Sequence, residues 1–253
     1  DQDHLKDTLR LTQTHLEQIN ANELFRDLGL FCDSVSYLHL VPQLLRHPEA
    51  FSGPGIPGDP YGRGFLERVA RTSEGTRKAR LRKIEAALRI AVPQLKELTD
   101  VKDETGIPHL EVVYQHWRPR GAKQREDQFS DGTLRLIGLL WSLLDGDSML
   151  LLEEPELSLN SGIIRKLPAF IYRIHRQKKR QILISTHSSD LLSDPGIGGE
   201  EVLLRTPSEE GTRVELASSI KEIRDLLEGG LTVADAALPR TVPSNLPQLD
   251  LFE

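Results

Sequence analysis

Ser148 to Asn160 reads SMLLLEEPELSLN, and this stretch restricts the fold more than any other. Met149-Leu150-Leu151-Leu152 is a short apolar run that stops at Glu153 and Glu154, with Pro155 next. A run of that length, bounded in this way, reads as a strand buried on both faces. Two carboxylates are costly to bury unpaired. They are therefore expected at the strand's carboxyl edge, where parallel α/β sheets place their ligand sites. A buried strand that merely ends in two solvated acids would give the same pattern, so the flanking stretches must decide.

The 253 residues suffice for one large domain or for a core with a smaller lobe. No apolar run is long enough to cross a bilayer, so no membrane partner is expected. The single cysteine, Cys32, excludes an internal disulfide and an all-cysteine metal site. It fits a reducing compartment, and a cytoplasmic location is expected. A formal net charge of -6 argues against a surface that is basic overall, so any contact with nucleic acid would use local patches. Asp1 rather than Met opens the sequence, which is consistent with a piece of a longer chain.

Taken in order, residues 4–29 carry Leu5, Leu9, Leu16 and Ile19 on one helical face, with Gly29 as the expected stop. Val35 to Val41 reads as a strand before Pro42, and residues 52–64 as a Gly/Pro loop. Between Arg71 and Val101, Leu81, Ile84, Leu88, Leu95 and Leu98 are spaced almost as a heptad, interrupted by Pro93. A helix lying on the core fits better than a hairpin arm, because fewer than four heptads are present. Its basic run, Arg77, Lys78, Arg80, Arg82 and Lys83, is expected to be a solvated face before a DNA contact. His109 to Trp117 alternates as a strand, and Arg118 to Gln128 reads as a polar loop. Ser130 caps a helix that ends at Asp145-Gly146-Asp147. After Asn160 come a helix over Ile163–Arg176, closed by the basic turn Lys178-Lys179-Arg180, and a buried strand over Gln181–Thr186 that ends at His187. An antiparallel pair (Val202–Arg205 with Arg213–Leu216), a short helix (Ser219–Leu227) and an extended tail from Pro239 complete the chain.

Three signals thus occur in a fixed order: FSDGT at a capped helix start, a strand ending Glu-Glu-Pro-Glu, and a second strand ending Ser-Thr-His. Their order and spacing over about Gln128 to Leu192 resemble the ABC-type ATPase core of the SMC/RecF-like branch, and most closely the AAA_21 predicted-ATPase family. The resemblance implies an α/β fold, a P-loop NTPase (ABC/RecF-type) sheet flanked by helices with an N-terminal helical lobe. It implies a helical and accessory lobe over 1–128, the C-terminal core of the ATPase over 129–230 and an extended tail over 231–253. It further implies ATP and Mg²⁺ as cofactors. Ser130 and Gly132 would meet the γ-phosphate of ATP held by the opposite subunit, at a helix N-terminus suited to anions. Glu153 would be the Mg²⁺ ligand, where most relatives have aspartate. Glu154 would polarise the attacking water, and His187 would face the γ-phosphate. Asn160 lies in the stretch resembling the loop that crosses the dimer interface, where many relatives have aspartate. Gln43 is a candidate for the Mg²⁺-sensing glutamine.

One part of the family pattern is missing. No Gly-Lys-Ser/Thr occurs, so these residues lack a Walker A loop, and the expectation is a fragment without the phosphate-loop lobe. The overcoming-lysogenization-defect enzymes share the core and continue into a nuclease domain. Too few residues follow His187 for a domain of about 100 residues, so a nuclease would be a separate subunit. The chain ends in QLDLF, in which Gln248, Leu249, Asp250, Leu251 and Phe252 resemble the peptide that docks into the bacterial sliding clamp. Docking of the same residues on their own domain is the alternative. The expected function is an ATP-binding and ATP-hydrolysing subunit, dimerising head to tail to control DNA or a partner effector in genome maintenance, DNA repair or phage defence. A non-catalytic adaptor, binding the clamp or DNA through its tail and helical lobe, is the competing class.

Overall fold

A computed structural model describes residues 14, 16–17, 23–50, 53, 55–115 and 122–242. Most of the helix expected over 4–29 and the whole Gln248–Phe252 peptide lie outside the described residues. Helices and strands follow in the order α1 (Arg26–Ser34), β1 (Ser36–Leu38), α2 (Pro42–Arg46), α3 (Phe65–Arg71), α4 (Glu74–Ala91), β2 (Leu95–Lys102), β3 (Pro108–Tyr114), β4 (Ala122–Arg125), α5 (Asp131–Leu144), β5 (Leu150–Glu153), α6 (Ser161–Ile164), α7 (Leu167–Lys178), β6 (Ile182–Ser185), α8 (Ser189–Leu192), β7 (Leu203–Ser208), β8 (Gly211–Leu216), α9 (Lys221–Glu228) and α10 (Val233–Ala237).

The acidic strand is the middle one of three. β5 pairs in parallel with β1 on one side and β6 on the other, in the register Ser36↔Leu150 and Glu153↔Ser185. Leu150 and Leu152 are buried, while Leu151 is only partly so, which makes one face of β5 deeper than the other. The strand expected over Val35–Val41 is shorter, because Pro42 opens α2 and the chain leaves the sheet after Leu38. Helix α5 buries Leu134, Ile137 and Trp141, each 0% exposed, in the apolar core that it shares with the strands. Trp141 meets Phe65 edge-on with ring centroids 6.2 Å apart, and the Arg80 guanidinium lies over its ring at 5.2 Å. One apolar cluster runs from Leu38 to Leu191.

Several local expectations are corrected. Helix α1 runs through Gly29, which is buried within it rather than ending it. The near-heptad spans two kinds of structure: Leu81, Ile84 and Leu88 face inward from α4, but Leu95 and Leu98 belong to β2. In a regular strand those two would point to opposite faces. A register irregularity between Leu95 and Glu97 returns both to the interior, so a bulge mimics a helical spacing. The polar stretch after Trp117 contains β4, an edge strand antiparallel to β3, with Lys123 paired across to Glu111 at 2.7 Å. Charged residues suit an exposed edge and erase the apolar alternation that would have announced it. The helix expected over Ile163–Arg176 is two, because Pro168 lacks an N–H and sits in the first turn of α7. Pro239 lies in a 3₁₀ turn over Leu238–Thr241 rather than in an extended segment.

The basic run of α4 is largely neutralised. Arg77 is 2.8 Å from Asp100, Lys78 pairs with Glu74, and Arg80 lies 2.7 Å from Asp145. The turn after α7 also does more than complement a helix end. Arg180, 2% exposed, donates to the carbonyls of Ser142 (2.6 Å) and Asp145 (2.7 Å), and to that of Ser148. Lys178 donates to those of Leu144 (2.6 Å) and Gly146 (2.8 Å). The last carbonyls of a helix have no intrahelical donor, and these two cations supply them. Burial pushes the pKa of both cations down. Beyond β6, the β7–β8 hairpin, α9 and α10 enclose a second apolar cluster around Ile223, Val233 and Ala236.

Candidate functional site

The carboxyl edge of β5 gathers the acids. The ladder with β6 extends one residue past Glu153, because the Glu154 N–H donates to the Ser185 carbonyl at 3.0 Å. Glu154 has φ 41, a left-handed conformation uncommon for a residue with a side chain. The chain turns there, and Pro155 follows, itself buried. On the neighbouring strand the Tyr37 hydroxyl donates to the Glu153 carboxylate. That hydrogen bond pushes the Tyr37 pKa up to about 12, so the phenol keeps its proton and stays a donor. Tyr37 went unidentified in the sequence; its only signal is the alternation of the SYL strand.

Beyond β6 the chain passes through Thr186 to His187, which is exposed at the same edge. The Thr186 hydroxyl donates to Glu156 and accepts from the Ser188 N–H at 2.9 Å. Ser188 then caps α8, accepting from the Leu191 N–H at 3.3 Å.

Ser130 caps α5 as expected, its Oγ accepting from the Thr133 N–H at 3.2 Å and lying 2.9 Å from Thr133 Oγ1. Both Oγ contacts run to Thr133, and neither reaches Glu153, Glu154 or His187. A hydroxyl that accepts from an amide still has its own proton to donate, so the cap and an anion contact are compatible. Gly132 lies in the first turn of α5. A Cβ there would lie 2.5 Å from the Ser158 carbonyl oxygen, so the missing side chain admits the loop after β5. Ser158 in turn has φ 62. Asn160 ends that loop and caps α6, its Oδ1 accepting from the Gly162 N–H at 2.9 Å.

The signature-like helix start is held from outside by α2. Arg46 donates to the Phe129 carbonyl and to Asp131, both at 2.7 Å, and Gln43 Nε2 lies 3.3 Å from the other Asp131 oxygen. Gln43 thus contacts Asp131 rather than an acid of the β5 edge. One turn further, Arg135 lines a shallow depression with Leu38, Leu40, Leu152, Glu153 and Pro155. Burial lowers its pKa, and the charges of Asp131, Glu154 and Glu156 pull it back up.

Glu153 offers a hard oxygen donor of the type that Mg²⁺ takes. Among the described residues no group of three or more His, Cys, Asp or Glu side chains is arranged to hold a metal. No helix among the described residues is long and apolar enough to cross a membrane.

A search of curated proteins finds no match. Among solved structures, the chain is similar to an SMC ATPase studied for ATP-driven dimerization and DNA-stimulated activation. That match has 10% identity and a TM-score of 0.43, covering 64% of this chain and 94% of that one. It is also similar to the Smc head domain with a coiled coil and joint from Pyrococcus yayanosii. There the identity is 13% and the TM-score 0.43, over 60% of this chain and 29% of that one. A third is the Smc head domain with an extended coiled coil, bound to the C-terminal domain of ScpA, from Pyrococcus furiosus. It gives 12% identity and a TM-score of 0.43, over 59% of this chain and 38% of that one. In sequence, residues 8–194 match the profile of AAA_21, described as "AAA domain, putative AbiEii toxin, Type IV TA system". That match covers well over half of the chain and includes all three signals, from FSDGT to Ser-Thr-His: the chain belongs to the AAA_21 family.

Proposed function

We propose that this chain contributes the hydrolytic face of an ATPase site. ATP bound with Mg²⁺ lies at the carboxyl edge of β5 and β6, and the α5 start of a second copy closes over it, head to tail. One observation carries the reading. The Glu154–Ser185 hydrogen bond fixes the two glutamates beside the Thr186–His187 turn, at the end of a parallel ladder.

Glu153 gives one oxygen ligand to the metal, with Tyr37 orienting the carboxylate. The metal, when bound, neutralises phosphate charge. Glu154 orients the attacking water and takes up its proton. His187 donates to the γ-phosphate from the side. Ser130 and the first amides of α5, at the positive end of a 14-residue helix, give donors to the γ-phosphate held by the other copy. Gly132 lets the Ser158 loop lie against that helix start, and Asn160 ends the loop at the contact between copies. The phosphate-binding loop comes from outside these 253 residues. Hydrolysis opens the dimer and so controls a partner, DNA or a separate nuclease subunit, in genome maintenance or phage defence. The Gln248–Phe252 peptide tethers the assembly to the sliding clamp.

The test is Glu154→Gln in the full-length protein together with its phosphate loop. ATP binding should persist and dimers should accumulate with ATP. Turnover should fall by roughly 10² to 10⁴, the usual contribution of a positioned base. Unchanged turnover refutes the role given to Glu154.

A further inference from the structure

Glu156 is an acid with no part in the site so far, yet it is 6% exposed. A buried carboxylate is tolerated only where its oxygens are bonded. Glu156 Oε1 accepts from the Thr186 hydroxyl, while Oε2 is buried without a partner. The same hydroxyl oxygen accepts from the Ser188 N–H at 2.9 Å. A hydroxyl has one proton to give, so its direction here is set: it receives from Ser188 and gives to Glu156. Thr186 and Ser188 are the two neighbours of His187. One hydrogen bond therefore clips the turn that carries the histidine to the loop that follows Glu154. Arg135 contributes an attractive positive charge to the same region, acting on Asp131, Glu154 and Glu156.

We propose that Glu156 is a positioning residue for His187, acting through the Thr186 hydroxyl. This rests on the ATPase reading above and names an internal control of that same site. The loop from Glu156 to Asn160 also touches α5, through the Ser158 carbonyl at Gly132. Movement of the loop as two copies close is passed to His187 through this bond, next to the ladder bond from Glu154 to Ser185, which couples closure to the readiness of the histidine. An unpartnered buried oxygen has a stability cost, and a role in placing the histidine explains why an acid stands there.

Four variants of the full-length protein test this. Thr186→Val removes the hydroxyl at similar volume, and Thr186→Ser keeps it. Glu156→Leu removes the acceptor. The double variant Glu156→Leu/Thr186→Val replaces both partners by apolar groups, a change that is often nearly neutral for stability. Two readouts are taken: the ¹H–¹³C NMR signals of the His187 ring without nucleotide, and kcat and KM for ATP. The expected result is a displaced His187 signal and a kcat lowered on the order of tenfold to a hundredfold, with KM nearly unchanged. The double variant should lose no more than the single ones, and Thr186→Ser should behave as wild type. Unmoved His187 signals overturn the proposal. So does a fall in melting temperature with kcat intact. A wild-type protein that hydrolyses no ATP refutes the ATPase reading instead, and the NMR signals still decide whether Glu156 places His187.

Discussion

Asp103 holds the turn that joins β2 to β3. Its carboxylate accepts from the Thr105 hydroxyl at 2.8 Å and from the N–H groups of Thr105 and Ile107, each at 2.9 Å. The Thr105 hydroxyl foremost, then the Ile107 amide, holds its pKa down to about 2. His109 follows, with Nε2 3.6 Å from Asp103 and Nδ1 2.6 Å from the buried Glu126, which begins the turn leading to Ser130. Because the folded pKa lies below the unfolded one, the stabilisation is full above an ordinary aspartate value of about 4. It is lost as pH falls toward about 2. Between those limits the melting temperature of the wild type should fall more steeply than that of Asp103→Asn; parallel curves would contradict the role. Residues such as Glu153 and Glu154 were legible in sequence because acids at the end of an apolar strand are an anomaly. Tyr37 was not, since its partner is 116 residues away and only pairing of β1 with β5 joins them. Glu156 was hidden for a similar reason: it reads as one more solvated acid until the fold buries it against Thr186.

Helix α5 is the element that the sequence describes best and still describes incompletely. Its Ser130 cap, inward-facing Leu134, Ile137 and Trp141, and stop at Asp145 all follow from local chemistry. Its other end depends on Arg180, 35 residues beyond Asp145, and local patterns carry no trace of that distance. Arg180→Met should leave the Ser142, Asp145 and Ser148 carbonyls without their donor. A loss of about 3 kcal/mol in chemical denaturation is expected, from the usual cost of unmet buried polar groups. Stability within about 0.5 kcal/mol of wild type would show that water satisfies them equally well. The opposite failure occurred in α4 and β2, where periodicity was clear and misleading. A β-bulge made Leu95 and Leu98 continue a helical spacing, and only the pairing with β3 reveals it.

At the scale of the molecule, the family and the α/β fold were readable because three motifs keep their order along the chain. What motifs do not convey is how the accessory elements join them. β1, from the segment expected to be an accessory lobe, is a neighbour of β5, and α2 reaches the start of α5 through Arg46 and Asp131. The acids and His187 share one edge, while Ser130 turns its hydroxyl to Thr133 within its own chain. The central claim is therefore that Ser130 serves the site of another copy. Co-expression of Glu154→Gln and Ser130→Arg full-length chains tests it through the rate of ATP hydrolysis. Each variant alone should be nearly inactive. Half of randomly paired dimers carry one intact site of two, so the mixture should recover about a quarter of wild-type turnover. A mixture no more active than either variant alone would contradict the composite site.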